Sequence, residues 1–171
     1  NYPTEEQLIK NWADILFNNN KGIDRLNGQP LTKGEMQQLL NKVKELRTPL
    51  ALNGFINGKS VTITRDNPAD QLQFGKDVSL TIYNRLEIAS GKSFYQIARQ
   101  PKFEHHSYIL PKRRGDLVLL INGMPVIHIE LKSSKVPAMH AVNQITDKYI
   151  PEGVFTDSIF SLVQIFVAMN P

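Results

Sequence analysis

A chain of 171 residues, 41% hydrophobic and 21% charged, is long enough to bury a core and too apolar to be intrinsically disordered. Twenty Lys and Arg against sixteen Asp and Glu leave a mild net charge of +4. The lack of cysteine excludes disulfide scaffolds, thiolate metal sites and cysteine nucleophiles, so four His and the carboxylates remain as metal ligands.

The N-terminal stretch from Asn1 to Phe17 mixes charges into its apolar residues, as no signal peptide does, and the longest apolar run, Phe160 to Met169, is half a membrane span. A soluble, cytoplasmic protein is expected, and the missing initial Met reads as a piece cut from a longer chain. Leu8, Ile9, Trp12, Ile15 and Leu16 recur at helical spacing behind a Thr4/Gln7 capping box, which predicts a helix from about Glu5 to Phe17. After the turn-rich stretch Asn18 to Pro30, Thr32 and Glu35 form a second capping box ahead of Met36, Leu39, Leu40, Val43 and Leu46, so a second amphipathic helix is predicted to about Arg47. From Pro49 the period changes, and Val61, Ile63, Val78, Leu80 and Ile82 alternate with polar residues as half-buried strands do. Residues 1–50 are thus an N-terminal helical part and residues 51–171 a sheet-based core, together one compact domain. Phe94 to Phe103 reads as a strand, straight or bent, Ala138 to Tyr149 as a helix and Ser161 to Ala168 as a buried strand. No apolar segment is left over that would need a partner domain.

Two patterns resemble functional motifs and fail on geometry. Gly58-Lys59-Ser60 looks like the end of a phosphate-binding loop, but three residues separate Gly54 from Gly58 where four are needed, and β-like Val61 to Thr64 follows where a helix must start. His105 and His106 are adjacent, so in extended chain they point to opposite faces and cannot chelate one ion. Trp12 sits on the apolar stripe of the first helix and reads as core, its indole N–H expected to find an acceptor.

The chemistry concentrates between Asp116 and Lys132. Ile127, Ile129 and Leu131 alternate with His128, Glu130 and Lys132, which predicts a strand with a core face and a polar row. The preceding run Leu117 to Ile121 is apolar throughout, and Asn122-Gly123-Met124-Pro125 is a turn signal, so Asp116 and Glu130 stand at the open end of one hairpin. Parity sets a condition on that turn. A two-residue Asn122-Gly123 turn would pair Ile121 with Met124 and put Asp116 opposite Ile129, on the wrong face, whereas a three-residue turn would pair Ile121 with Pro125 and Asp116 with Glu130. Two close carboxylates repel, and the arrangement is favourable when a divalent cation lies between them, with Lys132 beside it to stabilise developing charge or orient a nucleophile. Such a set suits metal-assisted hydrolysis.

The pattern Asp116…Glu130-Leu131-Lys132 resembles the PD-(D/E)xK nuclease signature. Its setting from Gly115 to Lys132, with Leu8 to Trp12, Val61 to Asp66, Gln144-Ile145 and Phe160 to Pro171, is similar to the N-terminal nuclease domain of the restriction (motor) subunit of type I restriction–modification systems. The resemblance covers essentially the whole chain. It implies an α/β, restriction-endonuclease-like fold with a mixed central sheet flanked by helices, and Mg2+-dependent cleavage of double-stranded DNA. It also implies specificity and methyltransferase subunits as partners, and ATP-driven motor domains beyond this chain. Asp116 and Glu130 would hold the metal and Lys132 would complete the catalytic motif.

Other positions follow from the same resemblance. Gly115 stands where the family motif has Pro, a position that supplies backbone and not chemistry. Related nucleases carry Gln-x-x-x-Tyr on the next helix, but here Gln144 is followed by Tyr149, one residue late, and Lys148 takes the fourth place, so Tyr149 shares a face with Gln144 only if the helix bulges or ends. Glu6 is the candidate for an acidic residue on the first helix, against a plain helix-start charge. Lys112, Arg113 and Arg114 precede Asp116 and could grip a phosphate, against solvated loop charges. A non-catalytic DNA-binding or assembly module on the same fold is the alternative reading. No helix here carries a base-reading set, so DNA binding by the chain itself is expected to be weak, salt-sensitive and unselective.

Overall fold

The computed structural model describes residues 1–46, 48–56, 60–83, 91, 93–103, 112–156 and 158–170. Arg47, Gly58, Lys59 and the His105-His106 pair lie outside the described residues. The chain divides into two compact units, Asn1–Leu8 with Tyr95–Pro171, and Ile9–Phe94. Residue 50, where helical part and core were expected to meet, lies inside the second unit, within a helix.

Helix α1 (Glu5–Asn20) begins in the first unit and continues in the second. Its start is the expected capping box: Thr4 N–H donates to Gln7 Oε1 at 2.9 Å and Gln7 N–H to Thr4 Oγ1 at 3.3 Å. Leu8, Trp12 and Leu16, four residues apart, form the buried stripe, but the Trp12 indole N–H, expected to find an acceptor, is buried without a hydrogen-bond partner. The helix outruns Phe17 because the buried Asn20 fastens its last turn, donating to Leu16 O at 2.9 Å and Thr81 O at 3.0 Å while accepting from Thr81 N at 2.8 Å. In the second unit α2 (Lys33–Lys44) opens on the Thr32/Glu35 capping box and buries Met36, Leu39, Leu40 and Val43, each contributing about 1.5–3 kcal/mol of apolar transfer.

Residues expected to open the sheet instead form α3 (Pro49–Ile56). Thr48 starts it, its Oγ1 accepting Ala51 N–H at 3.1 Å and its carbonyl Leu52 N–H at 3.0 Å. Proline at the first helical position forfeits no hydrogen bond, and a Thr-Pro start was the signal the strand reading passed over. Strands β1 (Ser60–Thr64) and β2 (Asp77–Thr81) then pair antiparallel, Ser60 with Thr81 through Thr64 with Asp77, with Ile63, Val78 and Leu80 inward as their alternation predicts. The connection between them is held by Arg65, whose side chain, like those of Glu35 and Asp70, has no exposed surface. Its guanidinium donates to Glu35 at 2.6 Å and to Asp70 at 3.0 and 3.1 Å. Glu35 thus serves as both helix cap and ion-pair partner.

The first unit is built on a mixed four-stranded sheet in the order β3 (Tyr95–Arg99), β6 (Leu117–Ile121), β7 (Met124–Leu131), β8 (Ile165–Met169). The first three are antiparallel neighbours and β8 runs parallel to β7. The chain bends after β3 at Gln100, where φ is +49, into β4 (Lys102–Phe103), which pairs with β5 (Arg113–Arg114). Helix α4 (Met139–Gln144) packs on β7 and β8. A mixed central sheet with helices packed on it is the α/β, restriction-endonuclease-like architecture the sequence implies. The buried strand expected over Ser161 to Ala168 differs: a 3-10 turn, Ile159–Leu162, comes first, and β8 is an edge strand whose residues are exposed or half-buried.

The β6–β7 hairpin satisfies the parity condition by another route. Its turn has two residues, Asn122 and Gly123, with φ of +50 and +83, and pairs Ile121 with Met124. Both central residues at positive φ make the turn that matches strand twist. The extra residue is a bulge instead: Leu120 pairs with Pro125 but Leu119 with Ile127, which leaves Val126 unpaired. Proline has no N–H to give the ladder, so pairing breaks beside it at small cost. Below the bulge Leu117 faces Ile129, so the register carried one position beyond β6 sets Asp116 against Glu130, and the Asp116 carboxylate accepts the neighbouring Leu131 N–H at 2.7 Å.

The two faces of the sheet are the reverse of the expectation. His128 and Glu130 are 0% and 2% exposed, whereas Ile127 and Ile129 are half-buried and Leu131 is exposed. The polar row lies inward because aromatic rings and the chain after β7 cover it, and the apolar row stays open, continuing into exposed Tyr95, Ile97, Ile165 and Met169. An uncovered apolar face was not anticipated.

Candidate active site

Glu130 is the centre of the site. It reaches the covered face from β7, and its Oε1 accepts a hydrogen bond from Gln144 Nε2, with Lys132 Nζ at 3.6 Å and the Tyr149 hydroxyl at 3.5 Å. The Gln144 amide is used at both ends. Its Nε2 also donates to the Tyr149 hydroxyl, and its Oε1 accepts from Lys132 Nζ at 2.6 Å. These contacts orient the amide, since only one placement of O and N lets Lys132 donate and Glu130 accept. Asp116, half-buried at the strand opposite, accepts Leu131 N–H at 2.7 Å. Four of the predicted residues, Glu130, Lys132, Gln144 and Tyr149, thus touch one another, and Asp116 lies across the strand pair from them.

The late tyrosine is accommodated by a change of helix type. After α4 the chain widens into a π-helical turn, Ile145–Tyr149, closed by Ile150 N–H to Ile145 O at 3.0 Å. In a π turn the fifth residue, not the fourth, returns under the first, so one inserted residue leaves Gln144 and Tyr149 in contact and sends Lys148 to the exposed side. The Tyr149 hydroxyl donates to Arg114 O at 2.9 Å. Burial, reinforced by the Glu130 charge, pushes its phenol up to about 12, so it stays a neutral donor.

The flanking cations divide. Arg113 forms a two-pronged ion pair with Glu152 at 2.9 and 2.6 Å, and that hydrogen bonding raises its already high pKa. Its guanidinium therefore braces the chain after the π turn. Lys112 and Arg114 have exposed side chains. Glu6 is exposed on the first turn of α1, where its neighbour Glu5 accepts Ile159 N–H at 3.0 Å.

Two residues outside the predicted set, His128 and Gly115, also shape the site. His128, placed only in the polar row, is buried with Nε2 3.3 Å from Glu130 Oε2, its ring surrounded by Phe103, Tyr149, Phe155 and Phe166 at centroid distances of 5.4 to 6.2 Å. Gly115 is more than backbone: a Cβ there would lie 2.7 Å from His128 Cε1 and 2.8 Å from the tip of Phe103. The histidine fills the space a side chain at 115 would take. Its signal was the i, i+2 spacing to Glu130 together with a glycine in the proline position.

The donors suit a hard cation. Among the described residues no three His, Asp or Glu side chains converge as a ligand set. Asp116 and Glu130 nevertheless supply carboxylate oxygens, the donor type Mg2+ takes in ones and twos while keeping water and phosphate oxygens as its other ligands. Glu130 Oε2 is buried without a hydrogen-bond partner, an oxygen whose desolvation is uncompensated. The residues present fit the ion.

Comparison with known proteins bears on the same stretch. A family model described as "Type I restriction enzyme R protein N terminus" matches residues 2–171. The type I restriction enzyme SsaAORF53P endonuclease subunit of Staphylococcus saprophyticus is 31% identical over 170 residues, 97% of this chain and 16% of that protein. The SauCOLORF180P endonuclease subunit of Staphylococcus aureus strain COL is 31% identical over 169 residues, 96% of this chain and 16% of its own length. The EcoprrI endonuclease subunit of Escherichia coli is 40% identical over 58 residues, 33% of this chain and 18% of that one. The chain spans about one sixth of the length of the two staphylococcal relatives.

Proposed function

The chain belongs to the family of type I restriction enzyme R protein N termini, and from that premise we propose that it is the endonuclease module of such an enzyme, cleaving phosphodiester bonds of double-stranded DNA with Mg2+. The observation that carries the reading is the contact network joining Glu130, Lys132, Gln144 and Tyr149, with Asp116 opposite on the same hairpin. A surface of solvated charges would not spend a buried carboxylate and both ends of an amide on one another.

Asp116 and Glu130 would hold the cation, which when bound polarises a phosphoryl oxygen and acidifies a water. Lys132, fixed by Gln144 and 21% exposed, can meet the negative charge that develops on the phosphate. Gln144 sets the spacing between the Lys132 ammonium and the Glu130 carboxylate, and Tyr149 backs Gln144 against the Arg114 carbonyl. Lys112 and Arg114 are exposed before Asp116, where they can take DNA phosphates, while Arg113 is engaged by Glu152.

The specificity and methyltransferase subunits and the ATP-driven motor belong to the same reading, as does a cytoplasmic setting. No helix among the described residues is long and apolar enough to cross a membrane. The test is cleavage of supercoiled DNA by the assembled enzyme with Mg2+ and ATP. Asp116→Ala, Glu130→Ala and Lys132→Ala should each abolish cutting and leave ATP hydrolysis intact. An Asp116→Ala enzyme cutting at the wild-type rate would falsify the assignment.

A further inference from the structure

We propose that His128 is a positioning residue for Glu130: its Nε2–H is the hydrogen-bond donor that fixes the rotation of the carboxylate, and Gly115 is the vacancy that admits the ring. The inference rests on the reading of Glu130 as a ligand of the catalytic cation.

The two oxygens of Glu130 differ in surroundings. Oε1 meets Gln144, Lys132 and Tyr149, whereas Oε2 is buried without a hydrogen bond and has the His128 Nε2 at 3.3 Å. Both ring nitrogens of His128 are likewise buried without a hydrogen-bond partner. The pair is within reach and out of line, so a small turn of the carboxylate plane or of the ring closes the bond. Each atom offers the other what it lacks, an acceptor for a desolvated N–H and a donor for a desolvated oxygen.

Packing alone does not account for an imidazole here. The cage of Phe103, Tyr149, Phe155 and Phe166 is aromatic, and a phenyl ring would fill it without burying two polar nitrogens. The ring also requires residue 115 to lack a side chain, because a Cβ would stand 2.7 Å from Cε1 and 3.2 Å from Nδ1. Two positions, one on β7 and one in the link between β5 and β6, are therefore matched around a polar ring aimed at one carboxylate oxygen. The tautomer with its proton on Nε2 donates into one lone pair of Oε2 and leaves that oxygen's other lone pair for the cation, so a carboxylate held in this way has one orientation left for its other ligands.

The test uses the full-length subunit, alone and in the assembled enzyme, comparing wild type with His128→Phe, His128→Gln and Glu130→Ala. His128→Phe keeps the ring and removes the donor. It should raise the Mg2+ concentration for half-maximal cleavage about tenfold, the effect typical of losing an outer partner of a metal ligand. It should also raise about tenfold the Mn2+ concentration needed for a given rise in unfolding temperature, measured without DNA or nucleotide. In EDTA its unfolding temperature should equal or exceed that of wild type, and ATP hydrolysis should be unchanged. His128→Gln, which restores an N–H donor, should recover part of the Mg2+ dependence. If His128→Phe does not fold, His128→Leu against His128→Gln makes the same comparison. Wild-type Mg2+ and Mn2+ responses in the Phe or Leu variant would overturn the proposal, as would a Gln variant no better than Phe or Leu. Should Glu130→Ala still cut, the catalytic reading falls and this inference with it; a dead Glu130→Ala beside a fully active His128→Phe removes only the role of His128.

Discussion

Replacing Gln144 by alanine tests the network at its joint. The amide makes three hydrogen bonds, and two of them engage charged groups: Nε2 to the Glu130 carboxylate and the Lys132 ammonium to Oε1 at 2.6 Å. Hydrogen bonds to charged groups contribute roughly 1.5–3 kcal/mol each, so the ceiling is about 3–6 kcal/mol. The two losses are unequal. Lys132, 21% exposed, can turn to water, while Glu130, 3% exposed at its side chain, keeps on that oxygen only a 3.6 Å ion pair and a long 3.5 Å contact with the Tyr149 hydroxyl, which donates at 2.9 Å to Arg114 O. The Glu130 side dominates, at about 3 kcal/mol, which at 1.36 kcal/mol per decade predicts a fall of roughly 10²-fold in cleavage rate. Gln144→Glu should do at least as much harm, since a carboxylate still accepts from Lys132 but has no N–H for Glu130 or Tyr149 and adds a like charge beside a buried one. The assay is single-turnover linearisation of supercoiled DNA by the assembled enzyme, with ATP hydrolysis as the control for folding and motor function. A Gln144→Ala enzyme that cuts within about threefold of wild type would refute the argument that this amide spaces the acid and the lysine.

Three further outcomes follow from other parts of the molecule. Arg65→Met leaves Glu35 and Asp70 buried without their cation and should destabilise the chain by about 3–5 kcal/mol in urea unfolding, with Asp70→Asn and Arg65→Met together costing less than their sum. Burial pushes the Asp70 carboxyl up, but hydrogen bonds from Asn27, Arg65 and the Gln73 N–H outweigh it and hold the group below the ordinary carboxylate range. Its contribution is therefore complete above the unfolded value and lost as pH falls through the folded one, so Asp70→Asn should flatten the acid limb of a stability–pH curve below about pH 4. Gly123→Ala forces a Cβ at φ +83 in the β6–β7 turn and should cost about 1 kcal/mol, measured as a lowered unfolding midpoint, with a larger loss of cleavage if the register of Asp116 slips.

The amino-acid sequence determined what depends on near neighbours. Capping boxes at Thr4 and Thr32 start the two long helices because a side chain three residues away closes the first turn whatever packs on it later. Asn122-Gly123 sets a hairpin because both residues tolerate positive φ, and parity then requires one extra residue if Asp116 is to face Glu130. That the extra residue is a bulge at Val126 and not a longer turn was decided by Pro125, whose missing N–H weakens the ladder at that point. Spacing also showed Tyr149 to be one residue late, and only the π turn settled how it reaches Gln144. Alternation along β7 divided Ile127, Ile129 and Leu131 from His128, Glu130 and Lys132 without saying which set is covered. Period two defines two faces, but burial belongs to whatever lies over them, and here rings from Phe103, Phe155 and Phe166, far apart in sequence, close over the polar side. The Arg65–Glu35–Asp70 cluster and the fit of His128 into the space beside Gly115 were invisible for the same reason: each joins residues whose meeting is fixed by the path of the chain through three dimensions, and a linear pattern holds no record of that distance.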